Sequence, residues 1–128
     1  MKIESFQDLK VWDRAHQLSL KIYKISKHFP DDERFGITSQ IRRSSVSICA
    51  NIAEGTQKST KEYIRFLNIA RGSLEETKYY LILIKDLGFC TVEQFDAMFD
   101  EINQIGRMLH GLKVKLTEKL NYSNLTVH

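Results

Sequence analysis

The sequence predicts an all-α protein, a single antiparallel up-down-up-down four-helix bundle covering residues 1–128. Three observations lead there. Apolar residues recur at threes and fours in four separate stretches. Ser5, Ser59 and Thr91 stand where three of those stretches begin, each followed three residues later by an acid or a glutamine. The lone proline, Pro30, falls between the first two stretches and leaves the rest free to run as long helices.

The first helix is expected over residues 7–28, with Ser5 and Asp8 at capping-box spacing. Leu9, Trp12, Ala15, Leu18, Ile22 and Ile25 give it one apolar seam, in which Trp12 reads as core. Phe29-Pro30-Asp31-Asp32 ends it, because proline cannot continue the ladder and the acids favour a turn. The second helix begins near Ile37 or Thr38 and ends at Gly55, read as a left-handed residue beyond the helix end. Val46-Ser47-Ile48 has strand-like composition, but the period around it is helical.

Ser59-Thr60-Lys61-Glu62 opens a third helix of about 28 residues, roughly 40 Å long at the usual rise. Gly88 closes it, and Tyr63, Phe66, Leu67, Ala70, Leu74, Thr77, Leu81 and Ile84 form its apolar stripe. Thr91 and Gln94 repeat the cap, and Phe95, Met98, Ile102, Ile105, Leu109, Leu112 and Leu116 mark a fourth helix at heptad spacing. Connections of about four to seven residues make consecutive helices antiparallel neighbours. Residues 121–128 carry no periodic pattern and are expected to fray.

Composition is that of an ordinary soluble domain, 42% hydrophobic and 27% charged. A net charge of +3 and a pI near 8.9 permit contact with nucleic acid without demanding it. Between residues 34 and 71, seven basic side chains face two acidic ones. Arg42, Lys58, Lys61, Arg65 and Arg71 are the candidates there for holding RNA or DNA phosphates, although a solvated helix face would look the same. The run lacks the interleaved aromatics of a base-stacking platform, so binding would go through phosphates and weaken steeply with salt.

Cys49 and Cys90 have neither a CxxC spacing nor a histidine cluster beside them, so no metal, cofactor or disulfide framework is expected. His16, His28, His110 and His128 are scattered and read as surface or capping residues. The first seven residues lack the apolar stretch of a secretory signal, and no window reaches the length of a membrane span. A cytoplasmic protein with no membrane partner is expected.

Residues 40–55 carry two stripes on one helix. At about 100° per residue, Ile41, Ile48 and Ile52 share one side, while Gln40, Arg43, Ser47, Asn51 and Glu54 share another about 120° away. The third helix has a matching flank in Glu62, Ile69, Ser73, Glu76 and Tyr80. One core needs only the apolar stripes. The polar flanks are therefore expected to meet protein, within the subunit or between subunits, with Arg43 and Asn51 hydrogen-bonding to groups such as Glu76 and Ser73. Glu54 and Glu76 could form an acid–base pair, but no nucleophile, metal cluster or phosphate loop accompanies them, so no catalytic residue and no small-molecule substrate are expected. Gly106 and Gly111 mark either close helix approach or tolerated weak points.

Three segments resemble a known family: Phe6-Gln7-Asp8-Leu9-Lys10-Val11-Trp12, Gln40-Ile41-Arg42-Arg43 leading to Asn51-Ile52-Ala53-Glu54-Gly55, and Phe66-Leu67-Asn68-Ile69-Ala70-Arg71-Gly72-Ser73-Leu74-Glu75-Glu76. They look like the bacterial four-helix-bundle proteins encoded in intervening sequences of 23S ribosomal RNA genes, also labelled S23 ribosomal proteins. The resemblance implies an antiparallel bundle that assembles into a ring-like homopentamer, with no enzymatic activity established. It implies structural or interface positions for Gln40, Arg43, Ser47, Asn51, Glu54, Ser73 and Glu76. A related branch, the accessory variability determinant proteins of diversity-generating retroelements, is similar in fold and binds nucleic acid and a reverse transcriptase. That branch is strongly basic, and this chain at +3 departs from it.

The expectation is a non-enzymatic, self-associating bundle with a weak basic face for RNA or DNA. Two alternatives stand beside it: a scaffold whose polar stripes only specify assembly, and an enzyme, which requires Glu54 and Glu76 to converge in a pocket.

Overall fold

In the computed structural model, which describes residues 5–126, the Ser5 hydroxyl accepts a hydrogen bond from the Gln7 amide while the Asp8 carboxylate accepts one from the Ser5 amide. The box therefore forms, but it closes a 3-10 turn, Phe6–Asp8, rather than a long helix. Leu9 is extended at φ −81° and ψ 124°, and its carbonyl accepts the Asp13 amide to open α1, Lys10–Ser26. The first helix is thus shorter at both ends than its apolar spacing suggests.

The connection over residues 27–36 is longer than expected and folds its acids into a second 3-10 turn, Asp31–Glu33, after Pro30. Helix α2 spans Ile37–Gly55, α3 spans Thr60–Asp86 and α4 spans Val92–Thr126, and there is no strand among the described residues. Ser59 caps α3 by accepting from the Glu62 amide. Thr91 and Gln94 exchange side-chain and backbone hydrogen bonds at 3.0 and 2.9 Å as a full capping box for α4. Helix α4 continues through Thr126, past Asn121 where the apolar pattern stops, because a helix needs no buried stripe to propagate once its preceding turns are formed. Val127 and His128, the last two residues of the expected frayed tail, lie outside the described residues.

Gly88 is left-handed at φ 77° and ends α3. Its amide donates to the Lys85 carbonyl and the Phe89 amide to the Ile84 carbonyl, the paired bonds of a Schellman turn. Phe89 then packs on Phe29, ring centroids 5.5 Å apart. Gly55 does something else. It lies inside α2 with no positive φ, and a Cβ there would meet the Tyr63 ring at 2.7 Å and the Phe66 Cβ at 3.1 Å. The expectation of a left-handed end residue is corrected: Gly55 is small because α3 starts against it.

Each helix packs on two neighbours, α1 on α2 and α4, α2 on α3, and α3 on α4. The apolar stripes meet along the bundle axis. Leu18, Ile22, Ile41, Ile48, Ile52, Leu67, Leu74, Leu81, Ile84, Ile102, Ile105 and Leu109 are all fully buried. Each such side chain stabilises the fold by about 1.5–3 kcal/mol relative to exposure. Trp12 is half-buried rather than core, stacked on His16 and edge-on to Phe6 at the α1 end. Across the seams, Arg14 donates to Gln104 and Lys21 pairs with Glu101 at 2.7 Å. Arg42 reaches Ser26 at 2.8 Å, and Ser19 lies 3.8 Å from the Cys49 sulfur.

Gly55→Ala should destabilise the protein by about 1–3 kcal/mol through overpacking against Tyr63 and Phe66. Gly72→Ala, where a Cβ meets nothing within 4 Å, should stabilise by up to about 1 kcal/mol through helix propensity. Urea unfolding midpoints of the two variants test the contrast, and equal shifts would contradict it.

Candidate functional site

Helices α2 and α3 meet through hydroxyl groups. Ser44 is buried on α2 and Thr77 on α3, and the Thr77 Oγ1 lies 2.8 Å from the Ser44 Oγ and 2.8 Å from the Ser73 carbonyl oxygen. Thr77 has one proton to donate. Ser44 either gives its own to Thr77 or passes it to the Ile41 carbonyl at 3.3 Å, so both hydroxyls are satisfied. One turn along, the Ser47 and Ser73 hydroxyls are bonded at 2.8 Å, and the Asn51 amide donates to the Ser47 carbonyl at 2.8 Å and its hydroxyl at 3.1 Å. These side chains are short enough to let two helices close without a large apolar layer between them.

Above this seam lies an open groove of about 220 Å³ lined by Gln40, Arg43, Ser44, Ser47, Ser73 and Glu76. Five of the seven residues read as a polar stripe thus come together. Asn51 joins through Ser47. Glu54 does not: Gly55 packs beside Phe66, so Glu54 lies about ten residues of α3, roughly 15 Å, from the level of Glu76. No acid–base pair is formed by Glu54 and Glu76.

The expected pairing of Arg43 with Glu76 is also corrected. Arg43 is exposed and makes no hydrogen bond or ion pair among the described residues. Glu76 accepts from the Tyr80 hydroxyl at 3.2 Å instead. Burial, then the Glu76 hydrogen bond and charge, hold the Tyr80 phenol above its ordinary range. The inner part of the stripe is saturated within the subunit, and its charged rim is not.

The basic run is divided among three places. Arg42 turns to α1, over the Tyr23 ring at 4.7 Å and bonded to Ser26. Lys58 and Arg65 lie over the Phe66 ring at 5.9 and 4.8 Å, near Lys61 at the α2–α3 turn, with Arg65 also paired to Glu62 at 2.9 Å. Arg71 lies on the opposite flank of α3, in a groove of about 590 Å³ against α4. That groove also presents Lys78 and Arg107, which sequence reasoning did not single out, and His110, which it read as a surface or capping residue. The seven-residue step from Arg71 to Lys78 and the three-residue step from Arg107 to His110 put each pair on one helix face. Only the α3–α4 pairing brings the faces together.

Among the described residues no group of three histidine, cysteine, aspartate or glutamate side chains could hold a metal ion, and no helix is long and apolar enough to cross a membrane. Both cysteines are free and half-buried. Burial pushes the Cys49 thiol up, partly offset by the Ser19 hydroxyl, and burial raises Cys90 against the opposing charge of Lys85. Neither is a ready nucleophile near neutral pH.

Alkylation of Cys49 at pH 7.5 should therefore be slower than that of an unstructured cysteine peptide. The sign for stability follows from the raised folded value: the contribution is complete below the unfolded pKa of about 8.5 and is lost as pH rises through the folded pKa. Iodoacetamide kinetics followed by mass spectrometry check this, and a rate equal to the peptide's would contradict it.

A family description, 23S rRNA-intervening sequence protein, matches residues 7–111. The crystal structure of a protein of unknown function from the S23 ribosomal protein family of Bacteroides thetaiotaomicron is similar to this chain at 30% identity. It aligns with a TM-score of 0.74, over 80% of this chain and 97% of that one. No protein curated for function matches. The hydroxyl seam and the glycine-tight α2–α3 turn lie within the matched span, and the chain belongs to the 23S rRNA-intervening sequence protein family.

Proposed function

We propose that this protein is a non-enzymatic, up-down-up-down bundle in the cytoplasm that assembles with copies of itself and holds RNA or DNA phosphates weakly. Contact order supports the topology. At every seam, partner numbers fall along one helix as they rise along its neighbour: Arg14 with Gln104 and Lys21 with Glu101, Ser19 with Cys49 and Ser26 with Arg42, Ser44 with Thr77 and Ser47 with Ser73, Lys78 with Phe99 and Lys85 with Phe95. Two free thiols suit a reducing compartment.

The observation that carries assembly is the rim of the α2–α3 groove. Gln40, Arg43 and Glu76 offer opposite charges and an amide around hydroxyls already satisfied inside the subunit. Val46 on α2 and Ile69 on α3 leave apolar side chains 43% and 41% exposed on the same two helices. Such a surface suits a protein face better than a substrate, because it offers polar direction with apolar area and no reactive group. Five is the subunit number that the family resemblance implies, in a ring closed by head-to-tail contacts.

A scaffold with no nucleic-acid role is the second reading, favoured by the dispersal of Arg42, Lys58, Lys61, Arg65 and Arg71 over three places. Weak patches repeated around a ring would still sum through multivalency.

The native mass should be five times the 14.9 kDa chain, falling towards one chain in Arg43→Glu. The wild-type particle should retain single-stranded RNA in a mobility assay at about 50 mM salt and release it by about 200 mM. A monomer at micromolar concentration would overturn the assembly reading. Absent or salt-insensitive retention would leave the scaffold.

A further inference from the structure

We propose that the groove between α3 and α4 is where the phosphodiester backbone of a nucleic acid binds, held by Arg71, Lys78 and Arg107 with His110 at its edge. This rests on the phosphate-binding reading above and gives it one location. At about 590 Å³ the groove is larger than the polar one between α2 and α3 and can take several linked phosphates rather than a single small anion.

Its charge is available. The two ion pairs among the described residues, Lys21–Glu101 and Arg65–Glu62, lie elsewhere, and Arg71, Lys78 and Arg107 donate no hydrogen bond within the described subunit. Glu75 is the acid that faces them, one against three cations. Lys78 is half-buried and steadied by the Phe99 ring 5.5 Å away, which limits the freedom it would lose on binding. Gly106 opens the floor: a Cβ there would lie 3.7 Å from Leu74, so the absent side chain leaves room above an apolar base. Arg71 and Lys78 are about 10 Å apart along α3 at the usual rise, so the cations track an extended chain and do not converge on one point.

By contrast, two of the more obvious cations are engaged. Arg42 is bonded to Ser26, and Arg65 is paired to Glu62. Phosphate binding there would have to break existing contacts.

Fluorescence anisotropy of the full-length protein with a labelled single-stranded RNA, read from 50 to 200 mM KCl, tests the location. Three phosphate contacts predict a loss of roughly 20-fold in affinity over that range. Arg71→Gln/Lys78→Gln/Arg107→Gln should abolish most binding and flatten the salt dependence. Lys24→Gln/Lys27→Gln on the α1 side should leave both unchanged, and Arg107→Lys should retain most affinity. Circular dichroism confirms that each variant folds. Should the triple variant bind as wild type while Lys58→Gln/Lys61→Gln/Arg65→Gln loses binding, phosphate binding stands and the groove is wrong. Failure of the wild type at 50 mM KCl overturns both. Competition by ATP at constant ionic strength with an affinity equal to that of the RNA would assign the groove to free nucleotide phosphates and overturn the backbone proposal.

Discussion

Two rows of small hydroxyl side chains, Ser44 and Ser47 on α2 against Thr77 and Ser73 on α3, hold the register on which the rest of the bundle depends. Each hydroxyl bond between the helices adds about 0.5–1.5 kcal/mol, so the alignment that pairs both rows is favoured over one in which Thr77 and Ser44 keep only the carbonyls of their own helices. Slipping one turn would leave one pair, Ser44 with Ser73 in one direction or Ser47 with Thr77 in the other, and the remaining hydroxyls with contacts inside their own helix alone. Apolar contacts alone would not discriminate so sharply, because the stripes of α2 and α3 repeat each turn and slide onto similar neighbours. Gly55 completes the constraint at the far end by letting Tyr63 and Phe66 close over α2.

From that register the surface follows. Hydroxyls spent inward leave Gln40, Arg43 and Glu76 around an open groove, with no partner for the arginine among the described residues. The same rotation of α3 turns Ser73 to α2 and Arg71, two residues away and about 200° round the helix, to α4. One helix thus divides its polar residues between an uncharged seam and a cationic groove, although both sets sit in a single stretch of sequence.

Much of this was readable in the residues. The apolar periods located four helices; the capping boxes at Ser5 and Thr91 form, and Ser59 caps α3 without a return bond from Glu62, whose carboxylate pairs with Arg65. Gln40, Arg43, Ser47, Ser73 and Glu76 converge as the helical spacing suggested. What failed required knowledge of neighbours. Gly55 looks like a helix stop in one dimension, and only the ring of Tyr63 reveals a packing role. The break at Leu9 depends on a cap closing a tight turn, which has the same spacing as one that opens a helix. Basic residues close in sequence were separated because side chains a few residues apart face different helices, while Lys78 and Arg107 met only through the α3–α4 contact. Ser44 carried no signal of its own, being one serine among several.

A double-mutant cycle on Ser44→Ala and Thr77→Val, measured by urea unfolding at fixed protein concentration, tests the register most directly. Coupling of about 1 kcal/mol or more between the two positions is the result that a mutually satisfied buried pair requires. Strictly additive effects would mean that the hydroxyls do not hold α2 against α3.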